Sequence, residues 1–419
     1  MRIESSAPAP SRMGTRLRVD RITTGWMLVA FIVAVIVTVT TRPVPQPWWT
    51  VIHLIVLGVL TNAILQWSWY FTRSLLRLRP DNPHAGVQQT WRLVAFNVFL
   101  VVLVLGMWFG SFPTVMVGAA GVGVVIAWHG IALLLAMRTR WASRFAVIIR
   151  YYAVAAGFLV LGVLAGAAVA ADLLQPGSLP APGHVLDRDG LTAAHSLLNT
   201  FGWVGLSIAG TLVTLGPTVL RTRMEPNAVK LAVGALPVVA LALLGAAVAA
   251  ALNQMVLVGI ALALFTVGIT WTVGVPLVAA AVRKPPRDYA AWTLLSGCVW
   301  VLVGLVAVTI RAFGTETVAQ LRVLNPEIIA IIGVGGLLQV FVGALTYLMP
   351  VVVGGGPAAV KVGIASLNWA GPFRATFRNL ALIMTLVMPA PLWWLLVAAM
   401  YGIDIVSFAA AGIRQGREK

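Results

Sequence analysis

Long apolar runs separated by short polar breaks set the pattern of this chain. A bilayer's hydrocarbon core is about 30 Å thick and needs about 20 apolar residues to cross it as a helix. Runs of that kind recur along the sequence and predict about twelve transmembrane helices, at 24–41, 48–72, 92–110, 113–137, 146–171, 191–220, 228–252, 255–282, 290–310, 327–352, 375–389 and 391–413. Only Met388, Pro389, Ala390 and Pro391 separate the last two. A single long tilted helix is the alternative there, and it would move the C-terminus to the other side. The expected fold class is therefore all-α, a polytopic membrane protein. Its expected layout is a basic segment at 1–23, one transmembrane domain at 24–413 and a tail at 414–419. The longest polar connection, Asp172 to Gly190, is rich in Pro and Gly and too short to fold alone.

The charges in the breaks alternate. Basic residues occupy the N-terminus (Arg12, Arg16, Arg18, Arg21) and every break after an even-numbered helix: Arg73, Arg77 and Arg79; Arg138, Arg140 and Arg144; Arg221, Arg223 and Lys230; Arg283, Lys284 and Arg287; Lys361 and Arg374; Arg414, Arg417 and Lys419. The other breaks are nearly free of Lys and Arg or mix them with acids, as in Asp172, Asp187, Arg188 and Asp189, or Arg311, Glu316, Arg322 and Glu327. The positive-inside rule then places both termini in the cytoplasm of a multi-pass cell-membrane protein. Trp48, Trp49, Trp91 and Trp141 fall at predicted interfaces, where aromatic belts form.

Composition agrees with this class and narrows the function. The residues are 60% hydrophobic and 10% charged, with a mean hydropathy of +0.95, which suits a lipid bilayer and excludes a soluble core. The net charge of +17 resides in short loops, so it reports topology and not nucleic-acid binding. The single cysteine, Cys298, rules out an intramolecular disulfide and a two-cysteine metal site; it reads as a small core residue. The apolar run after the N-terminus lacks a cleavage site and reads as a retained first helix.

Polar residues inside the apolar spans mark candidate chemistry, because hydrocarbon penalises them unless they face a cavity, a ligand or another helix. The sixth span is the richest: His195 and Asn199 share a face at i, i+4, and Gly202, Gly205 and Gly210 allow close approach. Helices 2, 4 and 6 run in the same direction, so distance from the helix start estimates depth at 1.5 Å per residue. His53 and His195 then lie at similar depth near the outer side, and His129 lies deeper. The pair admits three readings: two unrelated histidines each donating to a carbonyl, one shared metal or haem site, or a proton or quinone site. His129 reads as a satisfied core histidine or a ligand, with Arg150, Tyr151 and Tyr152 either its hydrogen-bond partners or an interface anchor. His84 and His184 fall in loops. Asp404 is a carboxylate inside an apolar span, read as a hydrogen-bonded helix contact or a proton relay. Asn62, Gln66, Asn97 and Gln339 read as interhelical glue. No phosphate-binding loop, Rossmann fingerprint or zinc-protease helix is present. Helices 2, 6 and 10 end alike, and Gly210 to Pro217 matches Gly343 to Pro350 in spacing. A four-helix repeat, and so three pseudo-repeated four-helix bundles, is expected.

Five stretches carry a family resemblance: HLIVLGVLTNAILQWSWYF from His53, WHG around His129, RYYAVAA from Arg150, the run from His195 to Met224, and GALTYLMPVVVGGGP from Gly343. Together they resemble the membrane portion of actinobacterial copper-oxidase-like proteins. More distantly they are similar to the haem–copper superfamily of oxidase subunit I and the nitric-oxide-response membrane proteins. The resemblance implies three four-helix bundles with metal centres in the outer half of the membrane, His53 matching a haem ligand and His195 a copper-side ligand. The tenth helix here has Gln339 and no histidine, and the seventh lacks paired histidines, so a complete oxygen-reducing site is not expected.

The resulting expectation is a membrane protein that binds haem b or copper through His53 and His195, with Asn199, Asn62, Gln339, Tyr151, Tyr152 and Asp404 in support and His129 as a further candidate. It would act as an oxidoreductase component in electron transfer or in nitrogen-oxide or copper stress, with a cupredoxin-type or other redox protein on the outer face. A transporter and a cofactor-free scaffold are the alternatives. In a Cys298→Ala background, a cysteine at Ser178 should react with a membrane-impermeant maleimide on intact cells. One at Ser143 should react only after permeabilisation.

Overall fold

The structure is a computed structural model that describes residues 13–39, 45–78, 87–138, 140–323, 328, 330–388 and 390–418. Ten of its helices are long and apolar enough to cross a membrane. They are α2 (Pro47–Leu75), α3 (Val87–Trp108), α4 (Phe112–Arg138), α5 (Ala146–Leu174), α6 (Arg188–Val219), α7 (Ala228–Ala251), α8 (Met255–Arg283), α9 (Tyr289–Phe313), α11 (Ala330–Val353) and α14 (Pro391–Arg417). Helix α1 (Met13–Val39) carries a shorter apolar segment, Gly25–Val37. Helices α10 (Val318–Val323), α12 (Gly356–Leu367) and α13 (Gly371–Val387) complete the set, and no strand occurs among the described residues. Two helices, α13 and α14, therefore occupy the region where one tilted helix was the alternative. The segment between α11 and α13, expected as a loop, contains α12.

Small residues let neighbours pack closely, as they must where no water drives helices together. A Cβ on Gly118 of α4 would lie 2.6 Å from the backbone of Leu103 on α3, and one on Gly297 of α9 would lie 2.6 Å from the Val340 nitrogen on α11. Polar pairs fix the register. Asn62 of α2 and Asn97 of α3 exchange amide bonds of 2.8 and 3.2 Å, and Trp26 Nε1 of α1 donates to Asn97 Oδ1 at 2.6 Å. The same pattern recurs farther along the chain: Gln339 of α11 donates to Asn379 Oδ1 of α13 at 3.1 Å, and Trp300 Nε1 of α9 donates to that oxygen at 2.7 Å. In each case the indole packs on a glycine four residues before the α2 or α11 amide, Gly58 or Gly335.

Three of these helices widen into π-helical turns, at Leu54–Thr61 in α2, Leu198–Gly205 in α6 and Ala330–Leu337 in α11, and a shorter one occurs in α8 at Thr270–Gly274. Such turns are rare and cluster at functional sites.

One end of the bundle carries the basic breaks and is called the basic end below. Ion pairs knit both ends: Arg221–Asp288 at 2.9 Å and Arg283–Glu225 at 2.8 Å at the basic end, Arg188–Asp172 at 2.5 Å and Arg322–Asp189 at the other. Asp172 and Asp189, two of the acids mixed into the odd-numbered breaks, thus pair with Arg188 and Arg322. Asp172 is buried at the end of α5, where it also accepts from the amides of Gly177 and Leu179 at 3.1 Å.

Asp404 of α14 lies in a buried ionic cluster. Arg374 and Arg378 of α13 both pair with it, Arg378 Nη1 at 2.5 Å, and Tyr289 of α9 donates to it at 2.6 Å. Arg374 also donates to the carbonyls of Leu367 and Trp369, tying α12 to α13. Sequence reading had counted Arg374 as a loop charge; it is 2% exposed. Its flanking sequence is polar, so no apolar run marked its burial. The Asp404→Asn substitution would leave two guanidiniums short of their counter-charge, and should lower stability by about 3–5 kcal/mol in denaturation of the detergent-solubilised chain.

Candidate functional site

His53 ends the first α-helical part of α2 and His195 lies in the first turns of α6, both just before a π-helical segment. The two half-buried rings are 6.1 Å apart between centroids, with planes 24° apart. His53 Nδ1 is 2.8 Å from the Trp49 carbonyl and His195 Nδ1 is 2.7 Å from the Gly162 carbonyl. A carbonyl only accepts, so each Nδ1 carries the proton and each neutral ring has its lone pair on Nε2; at His195 the Asn199 amide nitrogen lies 3.4 Å from that Nε2 and can donate to it. The Trp49 indole stacks on His53 at 4.1 Å, and the Asn199 amide nitrogen sits 3.1 Å from His195 Nδ1. Asn199 Oδ1 is buried without a hydrogen-bond partner.

The structure leaves the alternatives open: the rings are neighbours, as a shared site would need, and each bonds a backbone carbonyl, as the reading without a cofactor expects. The second fact does not block the first. Ligating imidazoles commonly donate their other N–H to a carbonyl, which fixes ring and tautomer. Metal–nitrogen distances of about 2.0–2.1 Å separate two ligating nitrogens by roughly 4 Å across one ion. The ring centres are 6.1 Å apart with their planes near parallel. Among the described residues no group of three or more His, Cys, Asp or Glu forms a metal cage. Two imidazoles suffice for the axial positions of a haem iron or for a low-coordinate copper ion, and fall short of a four-ligand zinc site.

Sequence reasoning missed the wall behind His195. Gly162 and Gly166 of α5 form a GxxxG pair, a spacing visible in the sequence, and a Cβ on Gly166 would lie 2.5 Å from His195 Cε1 and Nδ1. A Cβ on Gly162 would collide with Asn199.

The remaining candidates lie elsewhere. His129 of α4 is fully buried and its Nε2 is 2.9 Å from Ser68 Oγ of α2, away from the histidine pair. It does not bond the Arg150–Tyr152 tract. Tyr151 donates to the Ala232 carbonyl at 3.1 Å, Tyr152 bonds Thr211 at 2.8 Å, and Arg150 stacks on Trp141 at 4.3 Å. The helix turns those three side chains to three different neighbours, so only Arg150 fits the interface-anchor reading. Asn62, Gln339 and Asp404 serve the helix contacts described above, and Gln66 donates to Thr23 of α1 at 3.2 Å. His184 is exposed, Cys298 is half-buried, and His84 lies outside the described residues.

On the basic-end side of the π-helical turns, α2, α5, α6 and α11 enclose a cavity of about 80 Å³. Its walls are apolar apart from the hydroxyls of Ser68, Tyr152, Ser207 and Thr211.

No protein-family model matches the sequence. A search of curated proteins likewise finds none that matches it. The site therefore rests on its geometry. Replacing Gly166 with Val should push His195 off the Gly162 carbonyl and cost about 1–3 kcal/mol of stability. Gly157→Ala, on the same helix with nothing within 4 Å, should leave the thermal midpoint unchanged.

Proposed function

We propose that this chain is a metal-binding membrane protein in which His53 and His195 hold one centre, a haem b iron or a copper ion. The observation that carries the reading is the juxtaposition of two imidazoles from separate helices, each with Nδ1 tied to a carbonyl and Nε2 left as the donor atom. When bound, such a centre supplies one-electron transfer. The chain's own part is to orient the rings through Trp49 and Gly162, and to crowd His195 from behind through Gly166. A site of two histidines suits electron transfer or a role in nitrogen-oxide or copper stress, and lacks the ligand set for oxygen reduction. A redox partner, of cupredoxin type or another kind, would meet it from the end opposite the basic breaks.

The architecture we infer is twelve membrane helices in three four-helix bundles, related to the haem–copper superfamily, with both termini in the cytoplasm. In support, α1 and α13 take the places of the first and eleventh helices. The Trp26–Asn97–Asn62 pattern is repeated by Trp300, Asn379 and Gln339, and π-helical turns fall in the second, sixth and tenth expected spans. The basic breaks support the orientation.

A cofactor-free scaffold is the second reading, favoured by the same carbonyl bonds, which would hold the rings equally well for packing alone. One sample separates the two. Purified protein should show a haem Soret band or stoichiometric copper, His53→Ala and His195→Ala should each lose it, and Asn199→Ala should weaken metal affinity about 10–100-fold. Wild-type protein with neither haem nor copper would overturn the metal reading.

A further inference from the structure

We propose that Arg92 and His129 form a second site, one that binds a small monovalent inorganic anion of halide or nitrite size between α2, α3 and α4. Arg92 is 0% exposed and lies within the first turns of α3. A guanidinium at that depth is costly unless its charge is met. In the Asp404 cluster the chain supplies a carboxylate. For Arg92 it supplies none among the described residues. Its Nε and Nη2 donate to Gln89 Oε1 at 3.1 and 2.6 Å, and its plane packs on the rings of Trp69 at 4.5 Å and Trp128 at 5.7 Å. A neutral amide and two indoles ease the burial, yet they leave a full positive charge uncompensated. Arg92 Nη1 has no hydrogen-bond partner.

The second open donor belongs to His129, which follows Trp128 in sequence. Its Nε2 lies 2.9 Å from Ser68 Oγ, and its ring lies close enough to the Arg92 guanidinium for the two to interact electrostatically. With the Ser68 hydroxyl donating to Nε2, the neutral imidazole carries its proton on Nδ1, and that atom is also buried without a partner. Each such open donor costs about 1–3 kcal/mol. An anion accepting from Nη1–H and Nδ1–H would satisfy both and neutralise the guanidinium. Both side chains are closed off from the surface, so the occupant is a bare ion and not a headgroup on a tether.

The test uses the full chain in neutral detergent, with sodium gluconate exchanged for sodium chloride or sodium nitrite at constant ionic strength. Chloride or nitrite should raise Tm saturably, because a ligand that binds only the folded state stabilises it. The rise should vanish in Arg92→Gln and shrink in His129→Phe. If Arg92→Gln fails to fold, bromide titration of the wild-type tryptophan fluorescence should still show a saturable quenching component that Trp128→Phe removes. Equal Tm in all three salts, a full response in Arg92→Gln, or a rise given by phosphatidylglycerol mixed micelles and not by either salt overturns the proposal. So does a response seen in Asp81→Asn and not in wild type, since Asp81, which lies outside the described residues, would then supply the counter-charge.

Discussion

A polar group inside a membrane has no water to turn to, and this requirement of internal satisfaction governs the whole molecule. Asn62, Asn97, Gln66, Gln339 and Trp26 each bond a neighbouring helix, and those bonds decide which helices meet. The Asn62–Asn97 exchange joins α2 to α3, Gln339 to Asn379 joins α11 to α13, and Asp404 gathers α9, α13 and α14 around one carboxylate. Glycine removes the last obstacle to close approach, so that backbone packing and polar bonding act at the same contacts. Among the described residues the buried polar atoms without a partner include Asn199 Oδ1 beside His195 and the Arg92–His129 pair, where ligand chemistry is proposed, and also Arg150 Nε, Ser207 Oγ, Gln339 Oε1, Gln415 Oε1 and the Nε atoms of Arg374 and Arg378.

The membrane class and most helix positions were legible because hydrocarbon thickness imposes a length that composition cannot disguise. Ten of the long apolar runs after the first stand as helices close to their expected ends, and the proximity of His53 to His195 followed from equal depth on helices of common direction. What escaped was the partner of each charge. Arg374 reads as a charge in a break and Arg378 falls inside the expected span 375–389, and only the fold brings Asp404, some thirty residues on, between them. Helix α12 was missed because it is too short to span and its apolar content was credited to a loop. The Arg150–Tyr152 tract was expected to serve one histidine, but successive residues on a helix point about 100° apart and cannot converge on one partner.

The histidine pair and the Arg92–His129 cluster occupy opposite halves of the bundle, separated by the π-helical turns and the apolar cavity. In the two proposals the first would offer lone pairs to a cation and the second N–H groups and positive charge to an anion. The Arg92 charge of α3 lies on the side of the bundle where the loops are basic.

The widened turns of α2, α6 and α11 have a further effect on that division. A π-helical turn accommodates one more residue than an α-helical turn, so everything beyond it is rotated by roughly 100° relative to an uninterrupted helix. In α2 the turns at Leu54–Thr61 stand between His53 and Ser68. They act as a swivel, letting a single rod aim its upper residues at one neighbour and its lower residues at another, and a lineage could retune that aim by gaining or losing one residue without redrawing the bundle.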